Sequence, residues 1–223
     1  ATGKHFKTTN KFIKPKYRIF IDTKKSIYEQ MMDYTGSSDI KEYPKIFLTD
    51  AETDTLKNEL PENYITICPS GKMKFSANRK EWGFEKFQEL VDSLPDFNFV
   101  QIGSPDDQLL DSVYDKRGLP LRISASAIYN SRLFVGLEGG LMHMAKAVNT
   151  PAVIIYGGFI DPSISAYDEN INIVNIVDCS PCFNSEIKHQ MCESMKCMKG
   201  ISVETVKKAV ADLMIINKTG AEK

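Results

Sequence analysis

Between residues 64 and 177 the chain alternates short apolar runs with stretches whose apolar residues recur at helical spacing, and few folds accept that pattern. Residues 64–68 read YITIC and stop at Pro69-Ser70-Gly71. Residues 83–94 place Phe84, Phe87, Leu90, Val91 and Leu94 on one helical stripe. A second strand is predicted at 97–102 (FNFVQI), turned by Gly103-Ser104-Pro105, then helix over 106–115 and a short extended run at 121–123. Strand 132–135 runs into Gly136, helix covers 141–148, Pro151 resets the chain, and 152–156 (AVIIY) and 171–177 (INIVNIV) are further apolar runs. Strands that lack polar alternation are buried on both faces, which happens when helices cross over a parallel sheet. The fold class is therefore α/β, a parallel sheet with flanking helices. Ser202 is placed to cap a closing helix to about Ile216, with Glu204 in its first turn and Val203, Val206, Val210, Leu213 and Met214 on its buried face.

Upstream the pattern is weaker. A short strand is predicted at 17–21, a helix at 26–34 with Ile27, Met31 and Tyr34 on one face, an apolar run at 46–48, and a helix at 51–60 ended by Pro61. Residues 1–25 hold eight cations (Lys4, Lys7, Lys11, Lys14, Lys16, Arg18, Lys24 and Lys25) against Asp22. Such an arm reads either as a solvated extension or as a strip that meets an anionic acceptor or membrane surface.

Net charge is −1, with 26% charged residues, which gives no global attraction to nucleic acid. No apolar run reaches the roughly 18–20 residues of a spanning helix, and no secretory leader is evident, so a cytoplasmic address is expected. Cys179, Cys182, Cys192 and Cys197 are spaced Cys-x2-Cys-x9-Cys-x4-Cys, with His189 inside, while Cys68 stands apart. Clustered thiols in such a compartment suit a structural zinc or iron, free thiols or, least in keeping, a disulfide.

Ligands of an open parallel sheet sit where strands end and helices begin. Three strand ends here carry suitable chemistry. After 132–135 comes Gly136-Leu137-Glu138-Gly139-Gly140-Leu141-Met142-His143. Glycines admit a ligand close to the backbone, and unpaired amides at a helix start attract phosphate. His143 can donate to a phosphate oxygen, and Glu138 suits sugar hydroxyls. The alternative is a tight turn followed by a packed histidine. After 64–68, Ser70, Gly71 and Lys72 precede Arg79, Lys80, Glu81 and Trp82, a loop able to neutralise a diphosphate with Lys80 as its main cation, or else a basic surface loop. After 97–102, Asp106 and Asp107 suit either a ribose or a helix N-cap.

Taken together, these residues resemble glycosyltransferase family 9, the heptosyltransferases. The likeness rests on the strand–Gly–x–acid–x–Gly–x–Met–His–x–Ala run, on Thr150-Pro151-Ala152-Val153 with the strand end Tyr156-Gly157, on Lys80-Glu81-Trp82, and on the cysteine-bearing tail. It spans about residues 61–216, with 26–60 similar to the family's inter-domain region. The resemblance implies a GT-B architecture of two Rossmann-like domains, of which 61–216 is the C-terminal, donor-binding one, 1–60 an extension or remnant of the acceptor domain, and 217–223 a disordered tail. It implies a nucleotide-sugar donor, ADP-heptose first, a glycan or lipid-linked acceptor, inversion at the anomeric carbon and no catalytic divalent ion. Carried over by motif, Lys80 contacts the diphosphate with Ser70 and Gly71 beside it. His143 and the amides of Gly139, Gly140 and Leu141 hold phosphate or sugar, Glu138 touches the sugar, Asp107 or else Asp106 binds the ribose, and Gly157 is among the donor-binding residues. Some relatives carry an iron-bearing finger at the cysteines.

The chain departs from the family pattern at three points. Glu138-Gly139-Gly140-Leu141 stands where the family has Asp-Thr-Gly-Pro, and Glu81 stands where it has Arg. Residues 1–60 carry no match to the acceptor domain's catalytic Asp, so the chain is either part of a longer protein or a short relative that borrows an acceptor site, for instance from another copy of itself. Three other classes stay open: a non-catalytic nucleotide-sugar-binding module, a GT-B-like sugar-nucleotide epimerase, and a metal-stapled interaction protein.

Overall fold

The computed structural model describes residues 43–71, 76–183 and 190–219, with short pieces before them at 6–7, 20–21, 25–26, 29–30, 32–33 and 36. Most of the basic arm, Lys72 and His189 lie outside these residues. Strands β1 (Phe6–Lys7) and β2 (Phe20–Ile21) pair antiparallel, and Glu29, Gln30, Met32 and Asp33 are helical.

The main sheet has six parallel strands among the described residues: β3 (Tyr64–Cys68), β4 (Asn98–Gly103), β5 (Tyr114–Arg117), β6 (Leu133–Leu137), β7 (Ala152–Gly157) and β8 (Ile171–Val174), in the order β5-β4-β3-β6-β7-β8. The chain builds outward from β3 to β5, crosses back to β6 on the other side of β3, and builds outward again. This is the Rossmann-like order, and the reversal between β3 and β6 leaves a crevice at their C-terminal ends, where Cys68 pairs with Gly136.

Alternate residues of each strand serve opposite faces. Ile65, Ile67, Phe99, Val135 and Ile155 pack with Trp82, with helix α2 (Phe84–Asp92) and with the closing helix α7 (Val203–Thr219). Cys68, Val100, Ile102, Phe134, Ile154 and Tyr156 pack with α3 (Leu121–Tyr129) and α4 (Gly140–Ala147). Buried on both sides, β3, β6 and β7 have no use for polar alternation. The closing helix follows its predicted start, with Ser202 Oγ accepting from Thr205 N at 3.1 Å, but it runs to Thr219. Residues 43–60, read from sequence as inter-domain, lie against this second face: Ile46 N donates to Ala147 O and Leu56 is buried.

Three predicted elements are corrected. Helix α1 is Asp50–Thr53 in place of the expected 51–60; beyond it the backbone tightens into i→i−3 turns, with Thr55 N on Glu52 O, Lys57 N on Asp54 O and Glu59 N on Leu56 O. Residues 106–115 form turns and then edge strand β5 in place of a helix. Their backbone is satisfied by side chains: Gln101, buried in β4, donates to Gln108 O and accepts from Leu110 N, and Gln88 accepts from Asp111 N. The run at 121–123 is the first turn of α3 and not extended chain. Ser124 and Ser126 look polar in sequence, yet both are buried, and Ser126 Oγ donates to Glu52 O at 2.7 Å. The remaining helices are the single turns α5 (Pro162–Ser165) and α6 (Lys196–Lys199).

Candidate functional site

The crevice between β3 and β6 gathers the first two of the three suspected strand ends. On the β6 side the chain leaves Leu137 through Glu138 and an extended Gly139 into α4. The first amides of a helix have no partner within it. Among the described residues none of Gly139, Gly140, Leu141 or Met142 donates its amide to a protein acceptor, whereas His143 N reaches Gly139 O at 3.4 Å. A Cβ added at Gly139 or Gly140 would meet nothing within 4 Å, so the turn faces open space.

Lys80 enters from the β3 side and forms an ion pair with Glu138; both side chains are largely buried, at 19% and 7% exposure. The ammonium lies 5.6 Å from the centre of the Phe159 ring. Glu138 also accepts from Ser165 Oγ at 3.4 Å. His143 holds its Nδ1 2.7 Å from the Tyr167 hydroxyl, and its other ring nitrogen has no protein partner among the described residues. Burial pushes the His143 imidazole below its ordinary value; the Glu138 carboxylate pulls it back up and the Lys80 ammonium presses it down. The three residues predicted as catalytic, Lys80 from one loop and Glu138 and His143 from another, thus share one electrostatic neighbourhood.

The His143 shift has a measurable sign. The unfolded chain takes up this proton first as pH falls, so stability present above about pH 6.5 is lost as the pH drops through the folded value. Denaturant melts between about pH 7.5 and 5.5 should show wild type losing more stability than His143→Gln. Equal losses would assign the titration to another group.

The other predicted residues are less available. The Gly71 amide donates to Glu81 Oε1 at 3.0 Å, so this loop's amide is already taken, and burial raises the Glu81 carboxyl with Asp107 adding to the rise. Ser70 is half-buried, its carbonyl 3.5 Å from the Cys68 thiol, which burial pushes up to about 12. Asp107 Oδ2 accepts from Ser104 N at 2.8 Å, closing a turn, and no helix follows for it to cap. Gly157 has φ +62°, and a Cβ there would meet Met198 Sδ at 2.1 Å, so its missing side chain makes room for the cysteine-bearing segment. Trp82 and Phe87 meet edge to face at 4.9 Å, and Trp82 Nε1 donates to Ile201 O.

Among the described residues no three of His, Cys, Asp or Glu come close enough together to hold a metal ion. Cys179 is exposed, Cys182 and Cys192 half-buried and Cys197 buried, and Cys182 Sγ takes a hydrogen bond from Arg79 Nη1 at 3.6 Å. The four thiols, as they stand, do not present a tetrahedral donor set for zinc or iron. A cleft of about 270 Å³ lined by Asn63, Asp96, Arg132 and Met214 lies at the opposite, N-terminal end of the sheet, away from this chemistry.

Sequence reasoning missed Phe159, Ser165 and Tyr167. They follow β7 in a stretch with no periodic signal, and only the fold returns Phe159 to Lys80, Ser165 to Glu138 and Tyr167 to His143. Asn78 was also missed, for its side chain acts through a segment more than a hundred residues away.

The sheet order and the glycine turn lead to the comparison with known proteins. Residues 118–192 match the model of glycosyltransferase family 9 (heptosyltransferase). The matched part is about a third of the chain and contains α3, β6, the glycine turn, α4 and β7. Heptosyltransferase structures share the fold. The E. coli ADP-heptose lipopolysaccharide heptosyltransferase II aligns over 81% of this chain and 56% of its own, at 20% identity and TM-score 0.62. A family 9 glycosyl transferase from Veillonella parvula aligns over 86% and 60%, at 17% identity and TM-score 0.69. The dodecameric, iron-containing heptosyltransferase TibC of E. coli, in complex with ADP-D-β-D-heptose, aligns over 87% and 54%, at 16% identity and TM-score 0.64. No curated protein matches the chain. Its fold is the heptosyltransferase-like, GT-B α/β fold, and it spans between 54% and 60% of the length of these three structures. No helix among the described residues is long and apolar enough to cross a membrane.

Proposed function

We propose that residues 61–216 are the donor-binding half of a glycosyltransferase that moves heptose or a related sugar from a nucleoside-diphosphate sugar to a glycan or lipopolysaccharide-type acceptor. The observation that supports this reading is the start of α4, where the amides of Gly139, Gly140 and Leu141 have no protein acceptor among the described residues, the two glycines border open space, and the Lys80–Glu138 pair adjoins the turn. A pyrophosphate needs hydrogen-bond donors fixed in advance and a cation that loses little by changing partner. Lys80 qualifies, since Glu138 already holds it desolvated at the site.

In the proposed reaction an acceptor oxygen forms a bond to the anomeric carbon while the bond from that carbon to the β-phosphate oxygen breaks. The electron pair leaves on the nucleoside diphosphate, where Lys80, the helix-start amides and His143 spread its charge. Glu138, released from Lys80, accepts from sugar hydroxyls. The acceptor's proton goes to a base on a facing domain, and attack from the side opposite the leaving group inverts the configuration. No divalent ion is needed when fixed donors do this work. ADP-heptose is the first donor to test, because it is the ligand named for TibC. Self-association, a cytoplasmic address and peripheral contact with a membrane-bound acceptor belong to the same proposal.

Thermal melts with ADP-, GDP- and UDP-sugars test it. A ligand at 100 times its dissociation constant should add about 2.7 kcal/mol of apparent stability. Silence across the panel would sink the donor-site reading. Transfer and hydrolysis assays with the best binder then separate an enzyme from a binding module.

A further inference from the structure

The loop that carries Lys80 is fastened on its far side to the cysteine-bearing segment. Asn78 makes a paired amide contact with one residue of it: Nδ2 donates to Cys192 O at 2.9 Å, and Oδ1 accepts from Cys192 N at 2.7 Å. Arg79 follows with Nε donating to Gln190 O at 3.0 Å and Nη1 to Cys182 Sγ at 3.6 Å. Lys80, next in the chain, turns the other way to Glu138. The turn is tight, with Arg79 N on Ser76 O and Glu81 N on Asn78 O, both at 3.0 Å.

Two residues at this joint hold left-handed backbone without being glycine: Ala77 at φ 46°, buried directly before Asn78, and Met195 at φ 48°, just before α6. Such conformations persist only where surrounding contacts over-determine them. Two side chains of a three-residue run therefore grip one segment while the third reaches the site. A shift of residues 190–192 cannot leave Lys80 in place without breaking the Asn78 pair.

We propose that Asn78 and Arg79 are positioning residues for Lys80, and that through them affinity for the diphosphate depends on the placement of Cys182 and of residues 190–192. The proposal rests on the donor-site reading above. Coupling of this kind is reciprocal: whatever the cysteine segment does to ligand affinity, the ligand does to the cysteine segment.

Two measurements on the full chain test it. In calorimetric titrations with ADP, GDP and UDP, Asn78→Ala should weaken the best-binding nucleoside diphosphate by about tenfold. Asn78→Asp, which keeps the acceptor for Cys192 N and loses the donor to Cys192 O, should fall between it and wild type. A merely structural role would lower the melting temperature and leave the affinity of the folded protein unchanged. Independently, a saturating nucleoside diphosphate should slow iodoacetamide labelling of Cys192 in wild type, followed by peptide mass spectrometry, and should not do so in Lys80→Ala. Wild-type affinity in folded Asn78→Ala, or Cys192 labelling indifferent to the ligand, overturns the proposal. If wild type binds none of the three diphosphates, the donor-site reading fails first and this proposal falls with it.

Discussion

Lys80→Ala should lower turnover with a nucleotide-sugar donor by on the order of 10²–10³, and weaken nucleoside-diphosphate binding with it. The size follows from the surroundings. The side chain is largely buried, paired with Glu138 and 5.6 Å from the centre of the Phe159 ring, near helix-start amides that have no protein acceptor among the described residues. A charge kept out of water acts on developing phosphate charge far more strongly than an exposed lysine does. The substitution also strands Glu138, whose carboxylate would keep, among the described residues, only Ser165 as a side-chain donor. Leaving a buried charge without its partner is costly in itself. The double variant Lys80→Ala with Glu138→Gln separates the two effects: it should recover stability without recovering binding. Undiminished calorimetric affinity in Lys80→Ala for every nucleoside diphosphate that binds wild type would remove Lys80 from the site.

Phe87→Ala is expected to be the most damaging of these changes to stability. Phe87 is fully buried on α2, against the sheet and edge-on to Trp82. Removing such a ring costs about 3–5 kcal/mol, because the cavity closes only in part. For a chain of this size that is a fall in melting temperature of about 6–20 °C. The loss should also reach the site, since Trp82 sits two residues beyond Lys80 and ties the loop to Ile201. Thermal melts with and without the best-binding nucleotide check both points. A midpoint within 2 °C of wild type would mean that the core has repacked around the gap, against the roughly 6 °C minimum expected.

Wherever burial follows from local periodicity, the fold was legible. YITIC, RLFV and AVIIY read as strands covered on both faces, and the structure has strands there, the last two reaching one or two residues further, to Leu137 and Gly157; the stripe at Phe84, Phe87 and Val91 reads as a helix on a core and is one. Legibility failed where polar residues do internal work. Gln101 and Gln88 satisfy a backbone that would otherwise coil into a helix, and Ser124 and Ser126 are small enough to sit between elements. The site divides the same way. Glu138, Gly139, Gly140 and His143 announce themselves because glycines interrupt a strand just before a helix. Tyr167, Ser165, Phe159 and Asn78 are brought there by the order of strands and by one distant loop, which no window of sequence encodes. Asp107 and Gly157 drew attention for residue type and position, yet the first closes a turn and the second admits Met198.

The bareness of Gly139 and Gly140 has a consequence for selectivity. A Cβ at either position would meet nothing within 4 Å, so in the proposed donor site these two residues themselves reject no sugar by collision. Under the proposed donor reading, choice among sugars falls to the side chains near that turn, Lys80 paired with Glu138 and His143 paired with Tyr167, and to whatever surface closes over them.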